Sequence, residues 1–139
     1  MKSGEDRNLI VAKLDDGENL FESLEEIIEK HGIRSGLVLS GIGMLRNFVL
    51  GYYDGSEYQK KEFKDPCELL SLQGSIAGEA EPAIHLHASL ADESRSVIGG
   101  HLFQAEVCSL NELVLRKLDD VILSRKLNPN TGLKELDIS

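Results

Sequence analysis

Apolar residues change their spacing several times along this chain, and each change marks an element. Residues 7–14, RNLIVAKL, are rich in apolar and β-branched side chains and predict a first strand, which DDG ends. Residues 18–31, ENLFESLEEIIEKH, carry Leu20, Leu24, Ile27, Ile28 and His31 at intervals of three and four. Such spacing gives a helix one apolar stripe that must cover something, most simply a sheet. Glu18 and Glu22 suit the positive start of that helix, Lys30 and His31 its other end, and Gly32 is placed to cap it. His31, alone at the end of the stripe, reads as a packing or helix-end residue.

From Arg34 to about Leu118 the pattern is one of strands and turns. SGLVLSGIGML is apolar and punctuated by glycine, and NFVLGYYDGSEYQKKEF predicts two strands joined at Asp54-Gly55. CELLSLQGSIAG, AIHLHASLAD, VIGGHLFQAEV and NELVLRKL follow as further strands, and NPNTGLKEL as turn residues with a short end able to pack back as strand or loop. No repeat, linker or low-complexity tract breaks residues 1–139, which read as a single domain. The fold class expected is α+β, a mostly antiparallel β-sheet with one main amphipathic helix packed on it.

Composition narrows the partners. Fifteen basic against 24 acidic residues leave a net charge of −9, and the basic runs, QKKEFK and SRK, are short. Wrapping nucleic-acid phosphates requires clustered Lys and Arg, so this balance argues against nonspecific DNA binding. QKKEFK fits a solvent-facing or edge strand guarded by lysines. The first ten residues are polar, without a leader pattern, and no apolar run approaches ~18 residues, so a cytoplasmic chain without a membrane span is expected. Cys67 and Cys108, the only cysteines, read as reduced, buried thiols.

Three of the four histidines crowd into residues 85–102, HLHASLADESRSVIGGHL. Strand side chains alternate, so Ile84, Leu86, Ala88 and Leu90 form a core face while His85, His87 and Ser89 point the opposite way. A five-residue loop, Asp92 to Ser96, pairs Ala91 with Val97 and sets His87 opposite His101, with His85 diagonal on the same face. The direct pair then has Cβ atoms about 5 Å apart and the diagonal at most roughly 7–8 Å. A two-residue slip keeps the cluster, whereas a one-residue slip throws His101 to the other face.

Three imidazoles on one rigid face suit zinc or another divalent transition metal, and three protein ligands with an open fourth position typify catalytic sites. The metal set is therefore His85, His87 and His101, set against the simpler reading of three polar side chains on the wet side of a sheet. Gly99 and Gly100 beside them leave room for a ligand or another subunit. Glu79 and Glu81, just ahead of the histidine strand, are candidate acid-base partners for a metal-bound water, or simply a solvated turn. SGIGM lacks the ending and spacing of a phosphate-binding loop and reads as a strand bend.

Taken together, LSGIG, ELLSLQGSIAG, HLHASLAD, VIGGHL and RKLNPNTGLKEL resemble the PPC domain, the plants-and-prokaryotes conserved family, across roughly Arg7 to Leu136. The resemblance implies an antiparallel sheet with a flanking helix, assembled as a homotrimer. It also implies that His85, His87 and His101 are the family's histidine cluster, near a subunit boundary. In plants the domain is joined to an AT-hook that enters the minor groove. No Arg-Gly-Arg-Pro motif occurs here, so DNA binding carries over poorly. The reading is a homotrimer with a three-histidine metal site and metal-dependent hydrolytic or lyase-like chemistry on a small-molecule ligand. The alternative is a noncatalytic, DNA-associated or regulatory binding module.

Overall fold

A computed structural model describes all 139 residues. In chain order the elements are β1 (Lys2–Asp6), β2 (Leu9–Asp15), α1 (Leu20–His31), β3 (Ser35–Tyr53), β4 (Tyr58–Phe63), β5 (Cys67–Ala77), β6 (Ile84–Ala91), β7 (Val97–Lys117), β8 (Leu123–Leu127) and β9 (Lys134–Ile138). Seven strands form an antiparallel sheet in the order β1-β2-β7-β6-β5-β3-β4, and β3 also pairs with β7. The circuit β7–β6–β5–β3–β7 therefore closes on itself. Closure hides the backbone edges of these four strands from other chains. The α+β class stands: a mostly antiparallel sheet and one amphipathic helix.

The helix begins two residues later than the sequence pattern suggests, at Leu20 rather than Glu18. Asn19 is the N-cap, its side chain accepting from the backbone N–H of Phe21 and Glu22 at 3.0 and 3.3 Å. Gly32 ends it in the left-handed conformation (φ 60°). Leu20, Leu24 and Ile27 are wholly buried and join one continuous core with Leu72, Leu86, Leu90 and Leu102 from the strands. His31 sits at the helix end as expected, its ring bonded to Ser3 Oγ (3.0 Å) and Glu5 (3.2 Å). No helix is long and apolar enough to cross a membrane.

Three segments differ from the sequence pattern. Arg7 and Asn8 do not start a strand; both take positive φ (48° and 70°) in a two-residue turn that pairs Asp6 with Leu9 and creates β1. The strands expected on either side of Arg46 are one bent strand, β3, and those on either side of Ser109 are one bent strand, β7. Bulges allow this: the β3–β7 register shifts between Arg46 and Val49, where Asn47 has φ 47°, and again opposite Ser109, φ 64°. Gly43 belongs to the second irregularity, since a Cβ there would stand 2.1 Å from the Leu110 carbonyl oxygen. SGIGM is thus a strand bend, as its spacing suggests. All of QKKEFK but its last lysine lies in the edge strand β4, and the tail packs back as the β8–β9 hairpin.

Both cysteines are free. Cys67 is buried, which pushes its thiol pKa up, while Cys108 is only half-buried, with the Arg46 guanidinium 3.7 Å from its sulfur.

Candidate metal centre

The hairpin that carries the cluster is built by its loop. Asp92 Oδ1 accepts from the backbone N–H of Ser94 (2.9 Å) and Ser96 (3.0 Å), closing a compact turn after β6. Ala91 then pairs with Val97, His87 with His101 and Leu86 with Leu102, the register expected from the alternation. Leu86 and Leu90 are wholly buried on one face. On the other, the ring centroids of His85, His87 and His101 lie 5.1, 4.8 and 5.4 Å apart in the pairs 85–87, 85–101 and 87–101. Their candidate ligand nitrogens all fall within 4.8 Å of one another.

Burial sets the chemistry of these rings. His85 and His101 are half-buried and His87 is exposed. His101 has its pKa pushed down to about 4, chiefly by burial and then by His85, His87, Lys60 and Arg125. His85 is lowered by burial, then by His87 and Arg125. Both are therefore neutral near pH 7, the form that can donate a lone pair to a metal. Neither has all its polar atoms satisfied: His85 Nε2 and His101 Nδ1 are buried without a hydrogen-bond partner. Such orphans are rare and call for a partner that the chain does not supply, such as a bound ion or water. Phe103 stacks on His101 at 4.2 Å and fixes the plane of that ring.

The cluster borders a cavity of about 610 Å³ lined by His85, His101, Tyr53, Tyr58, Phe103 and Arg125, with residues 132–136 of the tail along another side. Polar contacts hold the tail there. Tyr53 Oη donates to the Thr131 carbonyl at 2.6 Å, Lys134 Nζ to the Glu81 carbonyl at 2.6 Å, and Arg125 Nε to the Pro82 carbonyl at 2.8 Å.

Several neighbours do other work than the sequence suggests. Glu79 is exposed and pairs with Arg34 at 3.1 Å, while Glu81 is exposed, and no carboxylate hydrogen-bonds to any of the three rings. The solvated turn is the better account of both. Ser89 shares the histidine face, but its hydroxyl is engaged with Ser71 at 2.7 Å. Gly99 and Gly100 do not leave open room: a Cβ at either would meet a neighbouring strand's carbonyl oxygen, Ala88 at 2.8 Å or Gly51 at 2.7 Å. These glycines let strands approach closely. The sequence reading missed Arg125, Tyr53, Tyr58 and Phe103. Of these only Phe103 had a local signal, standing two residues from His101 and so on the same face.

Residues 1–119 match the Plants and Prokaryotes Conserved (PCC) domain, so the chain belongs to that family, the one its motifs resemble. A plant- and prokaryote-conserved (PPC) protein of Pyrococcus horikoshii is 30% identical, with a TM-score of 0.81 over 96% of this chain and 93% of that one. AF0104 of Archaeoglobus fulgidus, described as a metal-containing protein, is 35% identical with a TM-score of 0.80 over 96% and 94%. The curated relative "Bifunctional protein GlmU" from Synechococcus sp. (strain JA-3-3Ab) is 31% identical over 123 residues, 88% of this chain. The chain spans only 19% of that relative's length.

Proposed function

We propose that the chain forms a homotrimer in which His85, His87 and His101 hold a divalent transition metal, zinc foremost, beside a cleft for a small molecule. The observation that carries this reading is the pair of buried, partnerless ring nitrogens, His85 Nε2 and His101 Nδ1. A desolvated polar atom without a partner costs about 1–3 kcal/mol, which coordination would recover. The donor set fits, since His85 and His101 are kept neutral and three nitrogens already converge. The metal-containing relative from Archaeoglobus fulgidus supports it. An ion held there supplies Lewis acidity toward an oxygen of a bound small molecule or water.

The chain's own residues would do the positioning. Phe103 holds the plane of His101, and the tail contacts keep one side of the cleft in place. The trimer draws support from Leu39, Ile42, Leu70 and Leu110, large apolar side chains exposed on β3, β5 and β7. A second reading, a noncatalytic binding or regulatory module, is favoured by one observation: no carboxylate contacts the rings as an orienting group or base.

The test is metal content of the tag-free protein purified without added metal, beside His87→Ala, with sedimentation of both. About one metal ion per chain in the parent and little in the variant is expected, on a particle of trimer mass. No metal in either after zinc is offered would sink the metal reading, and a monomer at micromolar concentration would sink the trimer.

A further inference from the structure

We infer that the cleft takes a small monocarboxylate on a flat, apolar body, its carboxylate facing Arg125 and its body lying against Tyr53, Tyr58 and Phe103. This deepens the ligand-site reading above by naming the class of ligand, and it does not require the metal.

Arg125 is anomalous among the arginines. Arg34 pairs with Glu79, and half-buried Arg46 pairs with Asp16 and Glu106. Arg7, Arg95 and Arg116 lack an acid but are exposed, so water solvates them. Arg125 is half-buried and has no carboxylate within ion-pair distance, in a chain with nine more acids than bases. Burial of an unpaired charge is costly unless something neutralises it.

The guanidinium is instead held by neutral acceptors. Nε donates to the Pro82 carbonyl at 2.8 Å, and Nη2 to Ser75 Oγ and the Ser75 carbonyl at 3.1 and 3.3 Å. These bonds orient the group, and Nη1 has no partner in the fold. Oriented donors with free N–H groups, on a residue that lines the cavity, suit a carboxylate.

The same cavity sets the rest of the ligand. Tyr53 and Tyr58 lie 5.4 Å apart between ring centroids, and Tyr58 and Phe103 5.0 Å, giving an aromatic wall. Two exposed acids, Glu57 and Glu135, line the cavity as well. Glu135 is engaged by Asn128 and Thr131 and turns to neither Arg125 nor the rings. Lys134 lines the cavity as well, so its two acids are already matched by two cations, and a dianion would leave more uncompensated negative charge than a monoanion, which favours a carboxylate over a phosphate monoester.

The experiment titrates the full chain, stripped with EDTA and separately supplied with zinc, with benzoate, benzamide and phenylphosphonate. Amide chemical shifts and calorimetry are read. Benzoate should bind at least about tenfold more tightly than its neutral isostere benzamide, the scale of one charge-assisted contact. Its shifts should centre on Tyr53, Phe103 and Arg125, and Arg125→Met should erase the preference. The comparison of benzoate with benzamide needs no variant, so it stands even where Arg125→Met fails to fold. Equal affinity, no binding of either at millimolar concentration, shifts centred elsewhere, or tighter binding of phenylphosphonate would each overturn the inference. The two readings fail separately. Benzoate preference in a protein that takes up no zinc removes the metal alone, and a full complement of zinc without benzoate preference removes the carboxylate site alone.

Discussion

The two faces of β6 share one backbone and differ in what their side chains have found. Leu86, Ala88 and Leu90 face inward, are buried, and join the core. His85, His87 and Ser89 alternate with them, and only Ser89 has a side-chain hydrogen bond, to Ser71. The inner face is complete within the chain. The outer face holds a buried nitrogen, His85 Nε2, that nothing in the chain satisfies, and His101 Nδ1 on the neighbouring β7 is a second. One face explains why the strand is where it is, and the other is where the fold has unmet chemistry.

The largest effect should come from the inner face. Leu86→Ala removes a wholly buried side chain and should cost about 2–5 kcal/mol in urea unfolding, through lost transfer energy and the cavity left behind. A cost below about 1 kcal/mol would mean that the closed circuit of strands tolerates a void there.

The outer face should behave in the opposite way. His101→Phe removes a buried unpartnered nitrogen and keeps a planar ring beside Phe103. Without metal it should leave stability within about 1 kcal/mol of the parent or raise it. Zinc at a hundredfold excess over its dissociation constant should stabilise the parent by about 2.7 kcal/mol and the variant hardly at all. Equal zinc stabilisation of both would break the contrast, because the metal would then sit elsewhere.

The smallest effect tests whether acid sensitivity belongs to neither face. The pKa of Asp16 is lowered by the Ser109 backbone N–H and then Arg46, and that of Glu106 by Asn47 and then Arg46. Both groups bind protons more weakly folded than unfolded. Their contribution is therefore present above the ordinary values of 3.8 and 4.5 and is lost as pH falls below them. Arg46→Met should flatten that acid limb in pH-dependent thermal unfolding. An unchanged limb would assign the sensitivity to other groups.

The histidine register could be read in advance because two local rules agreed. The polar loop Asp92–Ser96 fixed where the hairpin turns, and the alternation of apolar residues forbade a one-residue slip. The helix was legible for the same reason, its stripe and its glycine cap lying within fifteen residues. β1 was not, because KSGED carries no apolar alternation and is made a strand by pairing with β2. The bends of β3 and β7 escaped notice because Asn47 and Ser109 adopt positive φ only where the partner strand demands it. Arg125 lies far along the chain from His85 and His101, and the docking of the β8–β9 hairpin brings it to their cavity. No spacing rule in the sequence encodes that.

The closed circuit of β3, β5, β6 and β7 also has a consequence in time. Its seam joins Gly36 to Lys117, 117 − 36 = 81 residues apart, whereas His87 and His101 meet across a short hairpin. Hairpins form in about 1–10 μs, while domains dominated by such distant pairings fold in milliseconds to seconds. The histidine pair thus belongs to the fast, local part of assembly and the seam to the slow part. Until the seam forms, β3 and β7 each expose a bare edge, and that interval is when a newly made chain is most open to joining the wrong neighbour.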